Sequence, residues 1–297
     1  MIRKNIVRLL LYIFIVSVIV SGIQVSAATA VPSSYDKWGT SALGPGFPST
    51  VANYYKITKL CETKKENKKF TFTVISNEVK TNLYVTFPSI GGFRIFSDDS
   101  GYYEPDSIQK IRYKTETDGS IRMSAQDGTT VVFEKFGETF SLKVFNSEEK
   151  QLFRITSDQI AFGYSRGKLA KIKFEMPLSE KESIYGTGER FNELEQVGKR
   201  LLMWNVDCGY HGAANAEFWR GYKNIPLLYS NRGYTLFYNS FYSASIDIGY
   251  TDPNKYTMDF GGPEFDIYFW TGTPRDNLQA YTKLTGVTLL LPKWAYQ

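Results

Sequence analysis

The stretch Phe70-Thr71-Phe72-Thr73-Val74 alternates apolar residues with threonine, and this period of two decides the fold. Successive side chains of a β-strand point to opposite faces, so the pattern predicts a strand with one buried face. The stretch Leu83-Tyr84-Val85-Thr86-Phe87 places Leu, Val and Phe on one face in the same way. Both stretches are rich in the β-branched and aromatic residues that are enriched in strands.

The same pattern recurs along the chain, separated by turn residues. Further alternating runs cover residues 131–136, 140–145 and 169–174. Asp118-Gly119 and Asp127-Gly128 are dipeptides typical of tight β-hairpins. Many short strands joined by such turns predict an all-β fold, an antiparallel sandwich.

One helix is predicted near the end of the chain. Thr273 is a suitable N-cap, Pro274 suits the first turn, and Asp276 can complete a capping arrangement. Gly286 is a natural residue for the helix C-terminus. The predicted apolar face consists of Leu278, Tyr281 and Leu284. We expect residues 273–286 to link the sandwich to a following element.

The first residues are typical of a secretory signal peptide. Arg3, Lys4 and Arg8 give a basic start, residues 9–23 are largely apolar, and small residues follow. We therefore expect residues 1–27 to be a cleaved signal peptide. The protein would then be secreted or at the cell surface, without stable membrane association. A membrane anchor is the alternative, but the apolar run is shorter than the roughly 18–20 residues that a spanning helix needs.

Charge, cysteine and histidine content limit the classes of function. The formal net charge of +5 falls to +2 without Arg3, Lys4 and Arg8, and this does not indicate a nucleic-acid partner. Cys61 and Cys208 either form one disulfide or remain free thiols. The sequence has a single histidine, His211, which excludes a zinc site built on several histidines within this chain. We expect no metal and no other cofactor.

The second half of the chain contains an ordered series of short motifs. They are Tyr185-Gly186-Thr187-Gly188-Glu189-Arg190-Phe191-Asn192, Gly198-Lys199-Arg200 followed by Met203-Trp204-Asn205-Val206-Asp207, Asn224-Ile225-Pro226-Leu227, Ser230-Asn231-Arg232-Gly233-Tyr234-Thr235-Leu236-Phe237, Phe265-Asp266-Ile267-Tyr268-Phe269 followed by Thr271-Gly272-Thr273-Pro274, and Tyr281-Thr282-Lys283-Leu284-Thr285-Gly286 followed by Leu291-Pro292-Lys293-Trp294-Ala295. In this order they resemble the N-terminal portion of glycoside hydrolase family 31, the family of α-glucosidases and α-xylosidases. The resemblance covers residues 160–297; further upstream it rests on strand character and on Gly92-Phe93-Arg94-Ile95.

The resemblance implies a domain organisation. After the signal peptide and an N-terminal extension (28–44), residues 45–272 would form a mutarotase-like β-sandwich. After the helix, residues 287–297 would begin a (β/α)8 barrel that is otherwise missing from the chain. In the family that barrel supplies two aspartates, a nucleophile and a general acid/base, which suits a retaining mechanism. We therefore expect the catalytic residues to lie beyond Gln297, the sandwich to pack on the barrel, and this chain alone to be inactive.

The candidate substrate-binding residues lie in one part of the sequence, and the partner they imply is an α-linked oligosaccharide. The resemblance implies that Asp207 reaches over the barrel mouth, where its carboxylate would accept hydrogen bonds from sugar hydroxyls. An aspartate that caps a turn is the alternative. The aromatic and imidazole candidates around it are Trp204, Tyr210, His211 and Trp219, with Phe218 beside them. Aromatic faces stack on sugar rings, although these side chains would equally serve to pack the core or the loop.

Gly186 and Gly188 do not form a dinucleotide-binding motif, because the third glycine and the strand–turn–helix context are missing. We expect them to allow a tight backbone turn, which a buried pair formed by Glu189 and Arg190 would stabilise.

Two other functions remain open. A stand-alone carbohydrate-binding sandwich without catalysis is compatible with the aromatic content of 21 Tyr, 21 Phe and 5 Trp. A sugar mutarotase or epimerase rests on analogy of fold alone, and the single histidine counts against it because such chemistry uses positioned acids and bases.

Overall fold

The computed structural model describes residues 53–98, 103–190, 192–205 and 221–296. The predicted signal peptide and N-terminal extension lie outside these residues. No helix within the described ranges is long and apolar enough to cross a membrane.

The described residues fold mainly into β-strands. In chain order these are β1 (Tyr54–Lys56), β2 (Lys59–Lys65), β3 (Phe70–Ser76), β4 (Val79–Thr86), β5 (Phe93–Ser97), β6 (Arg112–Thr115), β7 (Ile121–Ser124), β8 (Thr130–Phe136), β9 (Thr139–Phe145), β10 (Gln151–Thr156), β11 (Ile160–Ser165), β12 (Lys168–Pro177), β13 (Ile184–Glu189), β14 (Lys199–Met203), β15 (Lys223–Ser230), β16 (Tyr234–Tyr238), β17 (Ala244–Ile248), β18 (Lys255–Phe260) and β19 (Asp266–Thr271). Short 3₁₀ turns cover Ser157–Gln159 and Lys293–Tyr296.

The strands form three antiparallel sheets within the described ranges. The largest has the order β13-β15-β16-β19-β5-β4-β3-β2. A second has the order β1-β11-β12-β18-β17-β14, and a third the order β10-β9-β8-β7-β6. The predicted class, an all-β antiparallel sandwich, is therefore confirmed. The Asp-Gly dipeptides occupy the β6–β7 and β7–β8 turns, where Gly119 and Gly128 have φ of 83° and 87°.

The largest sheet packs its apolar face against both other sheets. Phe70 of β3 meets Phe133 of β8 edge-on, with ring centroids 5.0 Å apart. Where the largest sheet meets the six-stranded sheet, Tyr238 of β16 stacks on Phe260 of β18. Phe70, Phe72 and Val74 are fully buried, as the alternation in the sequence predicts. The inward faces of all three sheets share one hydrophobic core.

Helix α1 (Pro274–Thr285) follows β19, and its start is capped as predicted. The Thr273 hydroxyl accepts a hydrogen bond from the Asp276 backbone N–H, and Gly286 ends the helix with φ of 93°. The predicted apolar face is wrong at Leu278, which is 47% exposed. The buried helix residues are Asn277 and Ala280, because the Asn277 amide donates to the Thr235 hydroxyl of β16 and turns that face towards the sheet.

Cys61 of β2 is a half-buried free thiol within the described ranges, and Cys208 lies outside them. The disulfide alternative stays a prediction.

Candidate functional site

The glycine-rich segment of β13 is a bulge that lies directly on the backbone of β15. Gly186 and Gly188 have φ of 109° and 90°. A Cβ atom on Gly188 would come within 2.0 Å of the Lys223 carbonyl oxygen. The register between the two strands shifts here. This geometry supports the structural interpretation of the two glycines, which allow close approach of two strands and a left-handed backbone.

Arg190 fixes the end of this bulge. The residue between the glycines, Thr187, is buried and has an unfavourable φ of 72° for a β-branched residue. Its hydroxyl accepts a 2.9 Å hydrogen bond from Arg190 Nε. Arg190 Nη2 donates to Asn224 Oδ1 at 2.6 Å. The guanidinium therefore ties β13 to β15.

The prediction that Glu189 and Arg190 form a buried pair is wrong. Glu189 is exposed and forms its ion pair with Lys223, 3.4 Å away across the β13–β15 ladder. Arg190 lies just beyond the end of β13 and donates to Thr187 and Asn224 instead of Glu189.

Asn224 also joins the ends of β14 and β15. Its backbone N–H and its side-chain amide both donate to Asn205 Oδ1, at 2.7 and 2.8 Å. Asn205 and Gly221 form an isolated parallel bridge. These two residues are the described neighbours of segment 206–220, and the bridge places them side by side.

A cavity of about 380 Å³ opens at these strand ends. Its described lining residues are Tyr103, Met203, Trp204, Asn205, Asn224, Ile225, Pro226, Phe237, Asn239, Ser240, Phe241, Tyr242, Ser243, Phe260 and Tyr281. Aromatic rings, amides and hydroxyls dominate, and no Asp, Glu, Lys, Arg or His is present among these described residues. The described part of the cavity wall therefore offers aromatic faces and neutral hydrogen-bonding groups to a ligand.

Of the predicted binding residues, Trp204 is the one that lies in this wall, and it is half-buried. The others, Asp207, Tyr210, His211 and Trp219, lie outside the described residues, as does Phe218.

A buried ionic network supports the part of the cavity wall that Tyr103 and Asn239 form. Arg94 of β5 is 1% exposed and Asp266 of β19 is fully buried. The guanidinium makes two parallel hydrogen bonds to the Asp266 carboxylate, both 2.7 Å long. A further bond of 2.9 Å joins Arg94 Nη2 to Glu104 Oε1. Burial alone would lower the pKa of Arg94, but the bonds to Asp266 and Glu104 outweigh it and hold the pKa above its ordinary value.

Asn239 connects this network to the cavity wall through hydrogen bonds to Asp266 and Tyr103. Its amide nitrogen donates to Asp266 Oδ2 at 2.7 Å and to the Tyr103 carbonyl at 2.8 Å. Its amide oxygen accepts from the Tyr103 backbone N–H at 3.1 Å. The phenol of Tyr268 also donates to the Tyr103 carbonyl, and burial raises the pKa of that phenol, so it stays a neutral donor. Tyr103 is thus held at both backbone polar groups.

Neither this network nor the 239–243 stretch was predicted from the sequence. One signal was present for the ion pair, because Arg94 and Asp266 are charged residues within otherwise apolar strands and both belong to the motifs quoted above. Nothing in the sequence marked Phe241, Tyr242 or Ser243.

The fold has clear counterparts among solved structures. A cycloalternan-forming enzyme from Listeria monocytogenes matches with a TM-score of 0.69 and 18% identity, over 82% of this chain and 23% of that one. A GH31 dextranase from Flavobacterium johnsoniae matches with a TM-score of 0.65 and 20% identity, over 81% of this chain and 29% of that one. At these identities the likeness establishes the fold.

Sequence comparison identifies characterised relatives. "Alpha-glucosidase 2" of Bacillus thermoamyloliquefaciens is 25% identical over 76% of this chain and 28% of its own length. "Alpha-xylosidase XylQ" of Lactiplantibacillus pentosus is 32% identical over 52% of this chain and 18% of its own length. The chain thus spans less than a third of the length of these relatives.

A family model described as the glycosyl hydrolase 31 N-terminal galactose mutarotase-like domain matches residues 53–247. This range includes most of the sandwich and all described lining residues of the cavity except Phe260 and Tyr281. The chain therefore belongs to the family of glycoside hydrolase 31 N-terminal mutarotase-like domains.

Proposed function

We propose that this chain is the N-terminal part of a secreted family 31 glycoside hydrolase that acts on α-glucosides or α-xylosides. Family membership and the names of its relatives, which include α-glucosidases and α-xylosidases, support this proposal. The observation that most directly supports it is the cavity beside Asn205 and Gly221, whose described lining is uncharged and rich in aromatic residues.

The sandwich contributes substrate contacts, while a following barrel performs the chemistry. Two aspartates beyond Gln297 act as nucleophile and as acid/base, about 5–5.5 Å apart as retention requires. Asp207 accepts hydrogen bonds from sugar hydroxyls, and Trp204 lines the adjoining wall. Tyr210, His211 and Trp219 complete the contacts of segment 206–220.

Exposed apolar side chains after α1 support packing on a barrel. Val287, Leu289, Leu290 and Trp294 are 76%, 82%, 93% and 74% exposed. A contiguous apolar stretch of this kind is typical of a surface that another domain covers. The intramolecular partner would be the barrel, joined through α1.

The test uses the protein expressed with its barrel and assayed on aryl α-glucosides and aryl α-xylosides. We expect turnover of at least one of them, with the first product released in the α-configuration by NMR. Asp207→Ala should lower kcat/KM at least a hundredfold and leave the melting temperature within about 2 °C. Asp158 is an exposed residue of the 3₁₀ turn after β10. Asp158→Ala is the matched control and should leave kcat/KM unchanged.

Different outcomes reject different parts of the proposal. Absence of turnover on both substrates rejects the activity and favours a carbohydrate-binding sandwich without catalysis. A β-configured first product rejects the retaining mechanism. Unchanged kinetics in Asp207→Ala remove Asp207 from the site. Secretion is tested by the mass of the protein in the culture medium, which should lack residues 1–27.

A further inference from the structure

The stretch 239–243, between β16 and β17, forms a wall of the cavity and presents aromatic side chains at its rim. Phe241 is 65% exposed and Tyr242 is 40% exposed, although both are large and apolar. Exposed aromatic residues grouped at a cavity are typical of a binding surface.

The structure holds these rings in fixed positions. A Cβ atom on Gly262 would lie 2.1 Å from the Tyr242 ring, so the ring rests directly on that glycine. Because one ring face is covered in this way, the exposed part of Tyr242 belongs to its other face and its edges. Phe241 meets Tyr103 edge-on, with centroids 5.8 Å apart. Tyr103 is itself held by Asn239.

The backbone of the stretch is equally constrained. The Ser240 hydroxyl donates to Glu264 Oε2 at 2.7 Å and accepts from the Tyr242 backbone N–H at 3.2 Å. A rigid aromatic wall loses little conformational entropy when a ligand binds, which is the advantage of a preformed site.

A polar group without a partner lies in the same wall. Ser243 is 3% exposed, and its hydroxyl has no hydrogen-bond partner among the described residues. A buried hydroxyl without a partner costs free energy, and a ligand hydroxyl that pairs with it removes that cost.

We propose that Phe241, Tyr242 and Ser243 form a sugar-binding subsite for one neutral pyranose unit. The apolar face of the sugar ring stacks on Tyr242, Phe241 closes the rim, and Ser243 exchanges a hydrogen bond with a sugar hydroxyl. The described lining offers no cation to a sugar phosphate or a uronate, so the subsite selects uncharged sugars. This inference rests on the proposed function for the sugar class, but it assigns residues that the catalytic proposal does not use.

The test is a titration of the full chain with maltose, in which binding is measured by isothermal titration calorimetry. Tyr242→Ala should weaken maltose binding about five- to tenfold, since an aromatic contact contributes in that range. Tyr242→Phe should bind within twofold of the unsubstituted chain, because the ring is retained. Ser243→Ala should weaken binding about threefold to tenfold. Glucuronate should bind at least tenfold more weakly than glucose.

Tyr250→Ala is the matched control, because Tyr250 is 59% exposed and does not line the cavity. It should leave binding unchanged. Failure of the chain to bind maltose, or equal binding by Tyr242→Ala and Tyr242→Phe, overturns the subsite. Equal affinity for glucose and glucuronate overturns the proposed selectivity of the subsite for uncharged sugars. An inactive intact enzyme that still shows Tyr242-dependent binding would reject the proposed catalysis and leave the subsite standing.

Discussion

Removal of the Asp266 carboxylate tests the buried network that supports the cavity. Asp266 is fully buried and receives both Arg94 Nε and Nη2 at 2.7 Å, with a third bond of 2.7 Å from Asn239. In Asp266→Ala the guanidinium keeps its bond to Glu104, whose side chain is 56% exposed, and loses its buried partner. The buried charge that remains is compensated in part by the more exposed Glu104 carboxylate.

The expected loss of stability is large. Breaking a buried, hydrogen-bonded ion pair by removal of one partner costs roughly 3–5 kcal/mol. Glu104 still compensates part of the Arg94 charge, so we expect the lower half of this range, about 3–4 kcal/mol. With an m-value of about 3 kcal/mol/M, the urea midpoint should fall by roughly 1 M at unchanged m.

A double-mutant cycle separates the pair from the rest of the site. Arg94→Met with Asp266→Ala removes both charges, so its loss should be smaller than the sum of the two single losses by about 1.5–3 kcal/mol. Glu138→Ala is the control, since its pair with Lys59 spans 3.6 Å between side chains that are 68% and 54% exposed. That surface pair should contribute less than about 1 kcal/mol.

Two results would refute this reasoning. A midpoint shift in Asp266→Ala no larger than in Glu138→Ala would mean that water or a rearranged Glu104 replaces the carboxylate at little cost. Strictly additive losses in the cycle would mean that Arg94 and Asp266 do not act as a pair.

Further predictions concern the β13 bulge and alkaline pH. Gly188→Ala should destabilise the fold by at least about 3 kcal/mol, because it combines a left-handed φ with a close contact to the Lys223 carbonyl; Gly137→Ala, where φ is 58° and the space is open, should cost only about 1 kcal/mol. Equal urea midpoints for the two variants would contradict the role of the close contact. Burial raises the pKa of Tyr113 and of Tyr229 to about 12, above the value near 10 of the unfolded chain. Folding keeps these phenols protonated, so their contribution to stability is complete below pH 10 and is lost as the pH rises through 12. Urea midpoints measured from pH 9 to 12 should fall progressively above pH 10, and a constant midpoint would show that the phenols titrate as they do in the unfolded chain.

The strands and the helix ends could be predicted because their causes are local. The alternation in residues 70–74 specifies a buried face without reference to any distant residue, and β3 buries that face as expected. Thr273 caps its own helix. Leu278 shows where local reasoning stops, because the buried face of α1 is chosen by the contact of Asn277 with Thr235 on another element.

The site could be predicted only in part because its contacts join distant residues. Arg94 and Asp266 lie 172 positions apart in the sequence and meet only because β5 and β19 pair. Tyr103 reaches Asn239 across 136 positions. Trp204 could be named as a candidate because it belongs to a recognisable motif, and its binding role stays a prediction. Tyr242 could not be named, because its position depends on contact with Gly262, which has no distinguishing feature in the sequence.

The network beneath the cavity is better explained by the position it fixes than by the stability it gives. A well-packed apolar pair in place of a buried ion pair is often equally stable or more so, so stability alone does not account for Arg94 and Asp266. The Asp266 carboxylate instead orients the Asn239 amide, and that amide satisfies both backbone groups of Tyr103, whose ring supports Phe241 at the rim. An apolar pair could not transmit this orientation, because dispersion contacts have no preferred direction. The double variant of Arg94 and Asp266 is therefore the informative member of the cycle. If it regains stability yet binds maltose more weakly, the ion pair serves the geometry of the cavity wall; if it regains both, the pair serves the core alone.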